Sequence, residues 1–217
     1  MPIISLKHKF IIILNPKCAS TYLERVFRNF NDYPRKIYKH HKAELVRKIL
    51  NEDGHNYEDF FVVIVTRNPF DHAISGYYQD MILYMSNRNK SIKNNEKYYK
   101  YINDLNAYIM NEKIRHYPGL KKIICENNST KCLVNKIFKM TEIKKLISFF
   151  ERKYNIKLEK VSKIINKKQL NLFNHDYKIE DFNEDSKKKI ESSYAHEFLF
   201  LDDNLYYERN ENLIKLV

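Results

Sequence analysis

A chain of 217 residues with 43% hydrophobic and 14% aromatic residues, but only 3 Gly and 5 Pro, carries the apolar surface for one sizeable core and excludes a disordered or linker-like polypeptide. Its 39 Lys and Arg against 27 Asp and Glu leave a net charge of +12, which favours anionic partners such as nucleotides, nucleic acid, acidic glycans or a membrane surface, although coding from an AT-rich genome would also enrich lysine. Cys18, Cys125 and Cys132 lack metal-type spacing and are too few for a stapled secreted domain, and no apolar run can span a bilayer, so the expected setting is cytoplasmic, with reduced thiols and no transmembrane segment.

In chain order, FIIIL at 10–14 is a continuous apolar run, as expected of a strand buried on both faces of a parallel sheet. After NPKCAST (15–21), Leu23, Val26, Phe27 and Phe30 recur at helical spacing and predict a helix. Leu45, Val46, Ile49 and Leu50 mark a second helix in HHKAELVRKIL, closed by a polar turn at 51–55 that contains Gly54. A second buried strand is expected at 60–65, followed by a helix with Phe70, Ala73, Ile74, Tyr77 and Met81 on one stripe. The basic, aperiodic stretch 85–100 reads as an exposed loop or lid. KKIIC at 121–125 suggests a third strand; Ile143, Leu146, Ile147 and Phe150 mark a helix with Thr141 placed to cap it; and 185–199 reads as helix. Alternating strands and helices give an α/β fold, and without an internal repeat or a boundary the chain reads as a single domain, 1–217.

Two stretches carry chemistry. A strand that runs through NPKCAST into a helix turns several backbone N–H groups outward, a nest for phosphate or sulfate, and Lys17 adds a positive charge while Ser20 and Thr21 add hydroxyl donors. The alternative is that Ser20 or Thr21 merely caps the helix. The loop lacks the glycines of a nucleoside-triphosphate loop, and its lysine precedes the small residues. In the second stretch Arg67 follows the second strand, Asn68-Pro69 starts a helix, and Ser75 lies two turns on; an arginine fork and a hydroxyl suit a second phosphate, the alternative being a structural ion pair at Arg67.

Together the stretches resemble the sulfotransferases that use 3′-phosphoadenosine-5′-phosphosulfate (PAPS). Pro16-Lys17-Cys18-Ala19-Ser20-Thr21 is similar to the family's first motif, and the run from Arg67-Asn68-Pro69 through Asp71 and Ser75 to Tyr77 is similar to its second. KHHKAEL and the C-terminal IESSYAHEFLFL, with Glu197 where an aspartate is common, extend the likeness to the carbohydrate sulfotransferase branch; KIIN, ending at Asn166, is a weaker match. The resemblance implies a P-loop-like three-layer sandwich with a central, mainly parallel sheet flanked by helices. It implies that Lys17, Cys18, Ala19, Ser20 and Thr21 bind the 5′-phosphosulfate and that Arg67 and Ser75 bind the 3′-phosphate. The implied reaction is in-line sulfuryl transfer to a hydroxyl, most naturally on a glycan, leaving 3′,5′-adenosine bisphosphate and requiring neither metal nor nucleic acid.

Sulfuryl transfer needs cationic help for the leaving group, assigned to Lys17, and a base. His40 falls at the family's H-x-x-A pattern leading to Ala43, with His41 as rival and Glu44 on the same helix as a further possibility. Two residues depart from the family pattern: Ala19 stands where glycine is commoner and is expected to be right-handed, and His72 stands where an arginine is frequent. Cys18 is expected to fill space, although a thiol near a helix N-terminus can have a lowered pKa. Lys131 is weighed as an addition to the 3′-phosphate site against a plain surface lysine, and Tyr98, Tyr99 and Tyr101 as lid aromatics that stack on a sugar. The competing functions are a nucleotide-dependent kinase with a variant phosphate loop and a basic nucleic-acid-binding protein.

Overall fold

The computed structural model describes residues 1–35, 37–38, 40–85, 101, 104–111, 119–127, 129–159, 176–201, 205–206 and 214–215. Four strands form one mixed sheet in chain order: β1 (Ile3–Ser5), β2 (Phe10–Ile13), β3 (Phe61–Thr66) and β4 (Lys136–Lys139). β1 runs antiparallel to β2, whereas β2, β3 and β4 are parallel, with Ile12 beside Val63 and Ile64 beside Ile137. Eight helices are described: α1 (Ser20–Val26), α2 (Ala43–Glu52), α3 (Pro69–Met85), α4 (Leu105–Asn111), α5 (Leu120–Ile124), α6 (Ile143–Tyr154), α7 (Glu184–Ser193) and α8 (Ala195–Leu201). A two-stranded ribbon, β5 (Leu205–Tyr206) with β6 (Ile214–Lys215), stands apart from the sheet.

The continuous apolar runs of β2 and β3 have a direct cause, because side chains alternate across a strand and here both faces are covered. Ile11, Ile13, Val62 and Ile64 meet Val46 and Leu50 of α2, Ala73 and Tyr77 of α3, Tyr108 of α4 and Ile190 of α7. Phe10, Ile12, Val63 and Val65 meet Leu23 and Val26 of α1 and Leu146 and Phe150 of α6. At the centre of this second layer Phe150 is fully buried, edge-to-face with Phe10 at 4.9 Å and with Phe27 at 5.1 Å. Its burial is worth about 1.5–3 kcal/mol, and the ring geometry adds about 0.5–1.5 kcal/mol per pair.

The helices that frame the site have defined ends. α2 closes in a Schellman turn: Gly54, at φ +80°, donates to the Asn51 carbonyl at 3.1 Å and His55 donates to the Leu50 carbonyl at 2.9 Å. α3 opens on Asn68, whose side chain accepts from the Phe70 N–H at 2.9 Å, with Pro69 at the first helical position where its missing N–H costs nothing.

Several expectations are corrected. KKIIC is not a strand: Lys121 to Ile124 belong to α5, and the third parallel strand is β4, in which Ile137 and Phe138 are the only buried residues. α6 is preceded by a turn of 3₁₀ helix (Met140–Glu142); Glu142 rather than Thr141 is its boundary residue and accepts from the Lys139 N–H at 3.3 Å. The C-terminal helix is two, α7 and α8, and Leu45 of α2 is 39% exposed rather than part of the core stripe. Tyr101 is buried against Tyr108, and its carbonyl accepts from the Tyr77 hydroxyl at 3.1 Å, so it is core and not a sugar platform. Tyr98 and Tyr99, the rest of the lid expectation from 86 to 100, and Asn166 lie outside the described residues. Among the described residues no helix is long and apolar enough to cross a membrane.

Candidate anion-binding site

β2 and β3 are parallel neighbours, so the segments that leave them start side by side. Asn15 ties the two ends together, its side-chain amide donating to the Val65 carbonyl at 3.3 Å. The chain after β2 alternates in handedness: Lys17 has φ +60° and Ala19 φ +59°, while Cys18 between them has no positive φ and Ser20 begins α1. Such alternation turns successive N–H groups toward one side and forms an anion-binding nest. Ala19 is therefore left-handed, contrary to the right-handed expectation, in a region where an L-residue costs about 1–2 kcal/mol. Neither Ser20 nor Thr21 caps α1, because Ala19 occupies the N-cap and no side chain bonds there. Ser20 is buried as the first residue of the helix, and Thr21 is exposed.

α3 runs alongside the loop and supplies its other wall. Cys18 Sγ lies 3.7 Å from His72 Nδ1, and Lys17 Nζ donates to Gln79 Oε1 at 3.0 Å. His72, Ser75 and Gln79 follow one another at i, i+3 and i+7, so the helix presents half-buried Ser75 on the stripe between the two contacts. Arg67 joins them from the end of β3. Its guanidinium acts electrostatically on both Lys17 and Cys18, and its ion pair with Asp71 is loose at 3.9 Å. A structural pair at Arg67 is thus present but does not divert the cation from the loop. Thr66, the residue before it, is fully buried, and among the described residues its hydroxyl has no hydrogen-bond partner.

Burial lowers the Lys17 ammonium from its ordinary value to about 8; the Asp80 carboxylate pulls the other way and the Arg67 charge adds to the lowering. Asp80 is itself buried and accepts from the Tyr108 hydroxyl at 2.5 Å. Burial pushes the Cys18 thiol up, with Arg67 opposing and Glu197 reinforcing the shift, so Cys18 is a packing residue and not a thiolate. His72 is buried against it, and Lys17 and Arg67 bring positive charge to the site. Glu197 of α8 is buried, and its carboxylate accepts from the Leu120 N–H, which joins the C-terminal helix to α5.

His40 and His41 lie between α1 and α2. The His40 ring Nδ1 is 2.9 Å from the carbonyl of Leu14, the last residue before the loop, so Nδ1 carries a proton and the base position of the ring is Nε2. His41 packs on Tyr38, ring centroids 5.6 Å apart, and partial burial holds it below the ordinary histidine value. Both histidines, with Glu44, open onto a cleft of about 1140 Å³ along the outer face of α2, walled also by Lys42, Leu45 and Arg47. Lys131 lies elsewhere, paired with Glu126 at 3.6 Å.

Lys17, Arg67 and the stripe carrying Ser75 are therefore gathered at one place, with His40 tied to the strand that leads into it. Gln79 and Asp80, which hold and charge-balance Lys17, were not anticipated; the signal available was that Gln79 continues the helical spacing of His72 and Ser75. No protein-family model, curated protein or solved structure matches the chain.

Proposed function

We propose that this chain is a sulfotransferase that moves a sulfuryl group from PAPS to an acceptor hydroxyl, with a carbohydrate as the favoured acceptor, on a P-loop-like three-layer α/β sandwich. One observation carries the reading: a left-right-left backbone nest at Lys17, Cys18 and Ala19 stands beside two cations, Lys17 and Arg67, at the carboxyl ends of adjacent parallel strands. A dianion at each end of a nucleotide matches that charge pattern.

The residues take separate roles in this proposal. The nest and Lys17 hold the phosphosulfate end, while Arg67 and Ser75 serve the 3′-phosphate. When bound, PAPS supplies a sulfuryl group on a phosphate leaving group. Lys17 stabilises negative charge growing at that bridge, where one preorganised donor is worth about 3–4 kcal/mol. His40, oriented by the Leu14 carbonyl, takes the acceptor's proton at Nε2. The acceptor enters along α2, where Lys42, Arg47 and Lys48 are balanced by Glu44, Glu52 and Glu58, a lining suited to a hydroxyl-rich ligand of low net charge.

A thermal-shift titration with 3′,5′-adenosine bisphosphate, run beside 5′-AMP and Mg-ATP, tests the donor site, since a ligand of the native state raises Tm by mass action. A shift confined to the bisphosphate supports the proposal. A larger shift with Mg-ATP would move the reading to a kinase, and none with any nucleotide, together with salt-sensitive binding to many nucleic-acid sequences, would move it to nucleic acid.

A further inference from the structure

Cys125 and Cys132 face each other across an isolated antiparallel bridge just after α5. The backbone hydrogen bonds flank the pair: Leu133 N–H donates to the Ile124 carbonyl at 2.7 Å, and Glu126 N–H donates to the Lys131 carbonyl at 3.1 Å. The two cysteines thus occupy a non-hydrogen-bonded position, where opposed Cα atoms approach to about 4.5 Å, inside the span of about 4.4–6.8 Å that a disulfide requires. Both are in the reduced form and buried, and Cys18 lies against the opposite face of the sheet, in the layer built by α1 and α6.

We propose that Cys125 and Cys132 are a disulfide site, closed by thiol–disulfide exchange with a small-molecule or protein disulfide. One cysteine thiolate attacks that disulfide and releases one thiol; the second attacks the resulting mixed disulfide and releases the other. The two electrons lost by the cysteines reduce the exchange partner to two thiols, which take up the two protons. Burial pushes the Cys125 thiol up to about 12, with Cys132 adding to the shift, so closure belongs to folding or to an opened turn rather than to the packed state. The count of three cysteines argues for reduced thiols, but the spatial pairing supplies the geometry that a count cannot.

The cross-link would act on the cleft along α2. Between the two cysteines, Glu126 accepts from Arg47 of α2 at 2.6 Å and pairs with Lys131, and Asn127 lines the cleft itself. Beyond Cys132, the Leu133 carbonyl accepts from the buried Tyr57 hydroxyl at 2.9 Å. A disulfide closes the base of this turn and fixes that wall against α2, whether or not the donor reading holds.

The test is to refold the full chain in a buffer of reduced and oxidised glutathione, alkylate the remaining thiols and map peptides by mass spectrometry. The expected product has lost two hydrogens, carries one alkylated cysteine, Cys18, and yields a peptide joined at Cys125 and Cys132. Its Tm should exceed that of the reduced chain by about 5–10 °C. Cys18→Ser should form the same link. Three alkylated cysteines in the refolded wild type, or a link that includes Cys18, would overturn the assignment, and the wild-type map decides even if Cys125→Ser and Cys132→Ser do not fold.

Discussion

The lowered pKa of Lys17 makes donor binding depend on pH in a direction fixed by its cause. The ammonium sits at about 8 against an ordinary 10.5 because burial disfavours its charge. At about 1.4 kcal/mol per unit this gap is roughly 3 kcal/mol, an upper figure because the side chain is only partly buried and solvent screens it. Between pH 8 and 10.5 the ligand-free folded protein holds fewer protons at Lys17 than the unfolded chain does, so this group's contribution to stability rises with pH across that window. A bound dianion reverses the preference by favouring the ammonium. Affinity for 3′,5′-adenosine bisphosphate should then be highest near pH 7, below which the ligand's own phosphates take up protons, and about tenfold weaker at pH 9, where binding takes up close to one proton per site. His41, held below the ordinary histidine value, is already neutral over this range and does not mimic the effect. Isothermal titration at pH 7, 8 and 9 in two buffers of different ionisation enthalpy measures both quantities. Lys17→Arg, charged throughout, should abolish the slope. Equal affinity at pH 7 and 9 with no proton uptake by the wild type would refute the placement of a bound anion on Lys17.

Four other outcomes are expected. Ala19→Gly relieves a left-handed alanine and should raise stability by about 0.5–1 kcal/mol, or about 1–4 °C in Tm, without weakening bisphosphate binding; a loss on thermal denaturation would contradict the backbone assignment. His40→Ala should lower turnover by about 10²–10⁴-fold while bisphosphate affinity stays level, and a larger loss in His41→Ala would show the base to be the neighbouring ring. Tyr108→Phe strips the buried Asp80 carboxylate of a donor and should cost about 1.5–3 kcal/mol in urea unfolding; a neutral result would mean that solvent reaches Asp80. Phe150→Ala opens the aromatic layer between α1 and α6 and should cost about 3–5 kcal/mol by the same measurement, with a loss under 1 kcal/mol arguing against that packing.

The parts legible in the sequence are those whose signal is local. β2 and β3 were readable because a strand covered on both faces must be apolar throughout, and α3 because its stripe and its Asn68-Pro69 start agree. β4 was not: KIFK has two buried apolar residues between lysines, and the longer apolar run nearby, KKIIC, is helical up to Ile124, since a short apolar segment does not distinguish strand from helix by period. At the site, Lys17, Arg67 and Ser75 were readable for the same local reason, each sitting just beyond a strand or on the helix that follows it. Gln79 and Asp80 were missed because their role, holding and balancing Lys17, exists only when α3 lies against the loop.

Ala19 shows where residue type and local geometry part company. Read as a residue, alanine in place of glycine implies a right-handed turn; the observed φ of +59° means that packing around it overrides that preference. The neighbours are named and buried: Cys18 against His72 on one side, Ser20 and Leu23 inside α1 on the other. A strained backbone held by surrounding packing is kept most economically where the exact direction of N–H groups matters, which is the property an anion nest requires. The same contrast separates the two ends of the active-site reading. The proposed donor end is built within single strand–loop–helix units and so leaves its trace in short motifs. The cleft along α2, proposed to admit the acceptor, depends on contacts such as Arg47 with Glu126, 79 residues apart, and on a cysteine pair whose meaning appears only once the chain has brought its bridge together.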